Sequence, residues 1–397
     1  MKINLNLPVI LFVGFACCAA GTAQVELWRI DGQSSSVEDV TVENEQVVAG
    51  AEEIDINELR LIDFKRPINS SDLTPEVNLF GGGKVLVTSV VFADEIFTID
   101  TGGGNAAAQI KLGVDAVTRI RFNKKERLPL YENAKAKEDL DQLFVRIKGS
   151  YQIVPGIVES IGENVKILYE EDVIGFKTED VYAVILAQDA ERANAVINGS
   201  VFLTEGSKIN CLVKSVAGEK VLATVGGIAD IEIPVGLVSK IEIKSNRLAF
   251  LSDLGPKTVR NLDGSVFVRK WKKDKNITGG QLVLRDRSQK VSRTYNKGLG
   301  TKSGMTLVFE NEGFDRFVAT IGIDASTGGN GLCRVKVIAS GDVLYSTDVA
   351  GVDIPKVVDV DIAGKNNIEL SIEFGGDFLD LSDHLNWCDA RFVKKSD

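Results

Sequence analysis

The sequence predicts an all-β protein: an N-terminal array of small β repeat units followed by a C-terminal jelly-roll β-sandwich. Three observations carry this. A strand with apolar residues at one fixed spacing recurs four times before residue 245. After residue 246 come short alternating strands separated by Gly, Asn and Asp turns. In the first half, only one stretch shows a helical period.

Residues 1–23 read as a secretory signal. Lys2 gives a basic start, Leu7 to Ala16 is an apolar run, and Gly21-Thr22-Ala23 offers small residues for cleavage, so the mature chain would begin near Gln24. The run is short for a membrane span, and no other stretch is long enough for one. An exported protein follows, secreted or held in the periplasm or cell envelope. Lipid anchoring through Cys17 or Cys18 is the alternative, and Phe15 weighs against it.

Four β units are expected at about 24–70, 77–124, 142–190 and 198–245. Their terminal strands carry Leu59, Ile62 and Phe64; Val117, Ile120 and Phe122; Val181, Val184 and Leu186; and Val238, Ile241 and Ile243. Successive first members are 58, 64 and 57 residues apart. A shorter strand precedes most copies, as in Ile54-Asp55-Ile56 and Ile231-Glu232-Ile233, and longer alternating stretches such as 85–91 and 158–168 lie further upstream. Tyr131–Phe144, with Ala134, Ala136, Leu140 and Leu143 among charged residues, is the helical candidate. No unit stands out by a polar cluster. The array therefore reads as a rod holding the second half away from its anchor, with an adhesive or oligomerising surface as the alternative.

The formal charge of the chain is -10. Gln24–Ser245 has 23 basic and 36 acidic residues, Asn246–Asp397 has 22 and 20. The change from about -13 to about +2 places a boundary near residue 246, and the acidic total argues against nucleic acid as a partner. Eight strands are expected in 246–397: Gln281–Leu284, Met305–Glu310, Arg316–Ile323, Cys333–Ala339, Val343–Thr347, Lys356–Asp361, Asn367–Phe374 and Asn386–Phe392. Phe317, Ala319, Ile321 and Ile323 share one face, as do Ile368, Leu370, Ile372 and Phe374. Cys333 and Cys388 are either a disulfide or two buried free thiols.

Five motifs follow in order: Leu251-Ser-Asp-Leu254; Trp271-Lys-Lys-Asp274 with Gly279-Gly280; Tyr295-Asn-Lys-Gly-Leu-Gly300; Arg316 to Asp324; and Asp383-His-Leu-Asn-Trp-Cys-Asp-Ala-Arg391. In this order, over Leu248 to Val393, the second half resembles the NPCBM family of carbohydrate-binding modules, a galactose-binding-like β-sandwich. Two positions depart from the family pattern. Lys302 stands where members carry a histidine after Lys-Gly-Leu-Gly, and Ala325 stands where a second acidic residue often follows Gly-Ile-Asp324.

The resemblance implies a polysaccharide or glycan partner. A sugar-binding site needs an aromatic plate and fixed polar groups. Trp271 and Trp387 are the available plates, Trp271 within a run of Arg269, Lys270, Lys272, Lys273 and Lys275. Lys297 and Lys302 flank a Gly298/Gly300 turn, and Asp324, His384, Asp389 and Arg391 complete the candidate set. Lips formed near Trp271 and Lys297–Lys302, with the closing strand as floor, are expected. Trp387 and the sole histidine, His384, also fit structural roles in the closing strand. Asp377, Asp380 and Asp383 are spaced oxygen ligands that could hold Ca²⁺, and the resemblance adds that such folds often carry one structural calcium.

Catalysis is not expected. One histidine leaves little for an imidazole base or a zinc site, no Gly-x-Ser-x-Gly elbow is present, and nothing marks a carboxylate pair across a cleft. The sequence thus reads as a non-catalytic glycan-binding protein, or alternatively as a structural or protein-interaction component of the cell envelope.

Overall fold

A computed structural model of the chain describes residues 24–69, 75–102, 109–123, 126–188, 196–261, 270–286 and 291–395. The expected signal segment, with Cys17 and Cys18, and Arg269 of the basic run lie outside these residues.

The first half is built from units of one topology. The first contains β1 (Val25–Arg29), β2 (Ser34–Val37), β3 (Thr41–Glu43), β4 (Gln46–Ala49), β5 (Glu52–Asp55) and β6 (Leu59–Asp63). The second contains β7 (Glu76–Leu79), β8 (Gly83–Leu86), β9 (Ser89–Ala93), β10 (Ile96–Asp100), β11 (Gln109–Gly113) and β12 (Val117–Arg121). The third contains β13 (Asp141–Ile147), β14 (Ser150–Ile161), β15 (Asn164–Tyr169), β16 (Asp172–Lys177) and β17 (Val181–Ile185). The fourth contains β18 (Gly199–Leu203), β19 (Lys208–Ala217), β20 (Lys220–Val225), β21 (Ala229–Pro234) and β22 (Val238–Ile243). In each, the last strand returns to pair antiparallel with the first. One turn of 3-10 helix leads into each last strand. It stops where the next residue, Leu59, Val117, Val181 or Val238, is drawn into the core as a strand residue.

Every one of these first-to-last pairings also carries a β-bulge at the same place. The register skips Arg60 in β6, Thr118 in β12, Tyr182 in β17 and Ser239 in β22. An extra residue in a strand leaves the ladder and re-aims its side chain. Thr118 donates to the Asn78 carbonyl, Ser239 to the Arg66 carbonyl and Tyr182 to the Glu126 carbonyl. Arg60 reaches across to the second half, as described below.

The array folds back on itself. Terminal strands pair across units, β6 with β22 and β12 with β17, and β19 adds contacts to β3 and β8. One apolar cluster runs through all four units, from Val25 to Ile243. An extended rod, the sequence expectation, is therefore corrected: each unit is too small to bury its own apolar face and shares it with neighbours. The expected helix at Tyr131–Phe144 is also corrected. Only Pro129–Glu132 is helical (α1), and Asp141–Ile147 is a strand between β14 and β17. Leu143, Phe144 and Val145 are all buried, and this two-sided burial in a sheet outweighs the helical period of the residues before them.

In the second half, α2 (Leu251–Leu254) follows β23 (Leu248–Phe250). Then come β24 (Thr258–Asn261), β25 (Lys272–Lys273), β26 (Leu282–Asp286), β27 (Val291–Tyr295), β28 (Gly298–Lys302), β29 (Met305–Glu310) and β30 (Arg316–Ile323). β31 (Leu332–Ala339), β32 (Asp342–Ala350), β33 (Lys356–Asp361), β34 (Asn367–Phe374) and β35 (His384–Val393) complete it. Two antiparallel sheets, β25-β28-β35-β30-β33 and β24-β29-β34-β31-β32, face each other, with β23 added to β35 and β26–β27 forming a separate hairpin. Phe317, Ala319, Ile321, Ile368, Leu370 and Ile372 fill the space between them. The expected eight strands are all present. β23, β24, β25, β27 and β28 are additional, being short, charged or glycine-rich.

Cys211, Cys333 and Cys388 are free and buried. Burial pushes the Cys211 thiol up to about 12 and the Cys388 thiol well above its usual range. Two outcomes are expected. In a thiol assay these three cysteines stay silent in the native protein and react on unfolding, so native reactivity would contradict the packing. Ile241, fully buried and paired with Ile62 across units, should cost about 2–5 kcal/mol when replaced by alanine, read as a lowered denaturant midpoint.

Candidate functional site

The sequence-derived candidates do not form one site. They divide into a core set, a set at the seam between the two halves, and a set at one end of the sandwich.

Trp387 and Asp324 belong to the core. Trp387 is fully buried, with its ring 6.0 Å from that of Phe317, so it offers no plate to a ligand; alternation along β35 turns it inward. Asp324 is buried as a hub. Its carboxylate accepts from the side-chain amides of Asn276 (3.1 Å) and Asn386 (2.6 Å), the amides of Val283 and Ser326, and the Ser326 hydroxyl. A buried carboxylate with this many donors ties the Asn276 loop, β26 and its own turn to the closing strand. Trp271 is half-buried and packs against the same core.

The expected Gly298/Gly300 turn is a strand. Both glycines serve close approach rather than a bend: a Cβ on Gly298 would sit 2.4 Å from the Trp387 carbonyl oxygen, and one on Gly300 would sit 2.3 Å from that of Lys275. Lys297 and Lys302 therefore stand at opposite ends of β28, about 16 Å apart, and cannot form one lip. Lys297 pairs with Asp253 (2.7 Å) and Asp274 (3.3 Å), and the Asp253 side chain also receives Lys273.

Asp389 and Arg391 lie at the seam. β35 bulges opposite Ala319, with Asp389 at φ 50. From this bulge the Asp389 carboxylate reaches Arg60, the bulge residue of the first repeat, at 3.1 Å with both side chains largely shielded. Arg391 is buried. Its Nε donates to the Ile30 carbonyl at 2.7 Å and its Nη1 to the Asp389 carbonyl at 2.8 Å. Burial lowers its guanidinium to about 10. Gly32, at φ 102, makes the room: a Cβ there would lie 2.5 Å from Arg391 Nη2. Ile30, Val318 and Val393 form an apolar contact beside it, with Leu248 against them. Trp28 adds a stack, with Arg60 5.1 Å and Arg293 4.7 Å from its ring centre, and Arg293 also 5.0 Å from Tyr295. Ser245 donates to the Asn57 carbonyl, and Arg247 pairs with Glu58. The seam borders a cleft of about 1000 Å³ lined from both halves.

The last set surrounds the loop before β35. Lys302, nearly buried, pairs with Asp380 at 3.0 Å and is opposite His384 in the sheet register. The His384 carbonyl accepts from the Asp324 amide. Asp383 is fully buried and accepts from the Leu332 amide at 2.8 Å, and burial raises its carboxyl. Asp377 is exposed and accepts from the Leu379 amide. The three aspartates thus point to three different tasks, and among the described residues no group of three or more His, Cys, Asp or Glu is gathered as a metal ion would need. At the loop tip Phe378 is 84% exposed at φ 54.

Fold and geometry define an antiparallel β-sandwich module whose β25-β28-β35-β30-β33 sheet meets a folded-back β array through its outward face. Residues 247–393 match the family model of the NPCBM/NEW2 domain. No curated protein matches the chain. Among solved structures, a CBM51 from Clostridium perfringens GH95 in complex with methyl-galactose is 27% identical, covering 37% of this chain and 99% of that one, with a TM-score of 0.34. The CBM51-2 and INT domains of Clostridium perfringens ZmpB are 24% identical over 44% of this chain and 37% of that one, TM-score 0.34. Tandem CBM51 modules of a family 98 glycoside hydrolase from Streptococcus pneumoniae are 16% identical over 89% and 99%, TM-score 0.33.

Sequence reasoning missed Trp28, Arg60, Arg293 and Phe378. Trp28 is the one tryptophan of the array and Arg60 the one charged residue at the bulge position of the four repeats. Comparing copies with one another would have flagged both. The Arg60–Asp389 contact is testable by a double-mutant cycle of Arg60→Met and Asp389→Asn, asparagine being chosen because it tolerates positive φ. A coupling of about 0.5–3 kcal/mol is expected from denaturant unfolding. Additive single costs would show that the two halves do not lean on this pair.

Proposed function

We propose that this protein is an exported, non-catalytic glycan-binding protein whose C-terminal sandwich engages sugar at the loop end around Phe378. The observation that carries the reading is Phe378 itself. A bulky apolar ring held almost fully exposed, at a backbone angle such residues rarely adopt, calls for a partner. Beside it the same loop supplies Asp377 and Asp380, with Lys302 paired to Asp380. An aromatic face ringed by fixed charged groups matches a sugar, which presents C–H groups on its ring face and hydroxyls around the rim. The match of residues 247–393 to the NPCBM/NEW2 family model supports the same class of ligand.

A non-catalytic role is supported by the placement of the reactive groups. The one histidine lies in the closing strand, and the thiols of Cys211 and Cys388 are pushed out of the nucleophilic range by burial. Export rests on the segment 1–23.

The test is affinity gel electrophoresis of the full chain across polysaccharides, with and without calcium. Retardation by at least one neutral polysaccharide is expected. Phe378→Ala should weaken it about tenfold to hundredfold, the cost of losing one buried phenyl contact, without changing the melting temperature. If no polysaccharide retards the chain under either condition, the exposed Phe378, Leu379 and Leu381 are left to a protein partner, and the envelope-interaction reading takes over.

A further inference from the structure

The seam cleft carries a charge pattern that the clamp between the halves does not use. Its carboxylates are answered from within its own wall. Lys65 holds Glu26 and Asp63, Lys240 holds Glu242, Lys297 holds Asp253, and Arg60 holds Asp389. Three further cations line the cleft: Lys208, Lys244 and Arg293. Among the described residues none of the three has a carboxylate partner. The lining thus holds seven cations against five carboxylates, in a chain whose formal charge is -10.

The way Arg293 is held matters most. Its guanidinium carbon lies over the rings of both Trp28 and Tyr295, at 4.7 and 5.0 Å from their centres. A guanidinium held on aromatic faces keeps N–H groups that can be offered to an acceptor. A cation fixed by aromatic rings has already lost much of the rotational freedom that binding an anion would cost it. Lys208 is similarly placed over the Phe202 ring at 5.3 Å. Ser34, Thr294 and Asn296 add hydroxyl and amide groups to the wall. The volume, about 1000 Å³, suits several linked sugar rings better than one ion.

We infer that the seam is a second binding site, formed jointly by the first repeat, the fourth repeat and the sandwich, for a short anionic saccharide bearing carboxylate or sulfate groups. The saccharide half of this inference rests on the glycan reading above; the selection for negative charge rests on the wall alone. The array then contributes ligand-binding residues instead of only carrying the sandwich.

Isothermal titration calorimetry of the full chain with three probes tests it: an oligogalacturonate trimer, a sulfated galactose trimer and neutral galactotriose. At least one anionic trimer should bind, the better one identifying the anion, and its affinity should fall as sodium chloride is raised. Arg293→Gln, and separately the exposed pair Lys208→Met with Lys244→Met, should each weaken that binding tenfold or more. Lys166→Met, an exposed lysine outside the cleft, should not. Retention of neutral polysaccharide on affinity gels should survive the Lys208/Lys244 double change, which separates this site from the one at Phe378. The inference is overturned if neither anionic trimer binds at millimolar concentration, if the neutral trimer binds as well as they do, or if the lysine pair can be removed without effect.

Discussion

The architecture turns on a contact between two bulges. Arg60 is the residue that the ladder of the first repeat skips, and Asp389 is one of the two, with Ala390, that the ladder to β30 leaves unpaired in the closing strand of the sandwich. A bulge aims a side chain out of a sheet's regular two-faced pattern, and here two such side chains meet across the boundary between halves. Beside them the buried Arg391 spans the same boundary, its guanidinium in the space left by Gly32 and its Nε on the Ile30 carbonyl. Removing a buried guanidinium's partners is costly because the charge then has neither water nor protein acceptors. The orientation of the sandwich on the array is thus fixed by a few polar groups, with the small apolar patch of Ile30, Val318 and Val393 excluding water around them.

This constraint decides what each candidate residue is free to do. The closing strand is pinned on both faces. One face holds Trp387 and Phe392 in the core, and the opposite face gives Asp389 and Arg391 to the seam. Neither group is left for a ligand on an open surface. β28, held tightly to β35 and to the Lys275–Ile277 segment by two glycines that admit no side chain, separates Lys297 from Lys302. One end of that strand therefore faces the array and the other lies under the loop that carries Asp380. Two distinct ligand environments follow from one short strand: a basic cleft between halves and an aromatic loop tip away from it.

Periodicity made much of the fold legible in the sequence. The four terminal strands and the eight sandwich strands follow from alternation and fixed spacing, which report burial directly. The segment 131–144 misled because its first residues do alternate with helical period, while its last ones are buried on both faces of a sheet, which no amphipathic pattern records. The Gly298/Gly300 strand misled because glycine marks either a turn or a close approach, and only the neighbouring backbone decides between them. The site was less legible for a related reason. Asp389 and Arg391 were recognisable as unusual, but their partners Arg60 and Ile30 lie over 300 residues away in sequence. Phe378 has no local pattern at all; its exposure is a property of the loop conformation.

The bulge position shows how a repeated unit acquires separate tasks without changing its topology. All four copies keep the 3-10 turn and the skipped residue, so the backbone slot is common. What fills it differs. Thr118 and Ser239 close hydrogen bonds inside the array, and Tyr182 builds an aromatic cluster with Tyr131 and Tyr151 around the α1 turn. Arg60 alone carries a charge outward, and Trp28, on the strand paired opposite it, lies under that charge. A slot that leaves the ladder can change its residue without breaking the pattern of ladder bonds around it. The first repeat could therefore become the sandwich's docking partner by changes at such positions, while the shared core from Val25 to Ile243 stayed as it was.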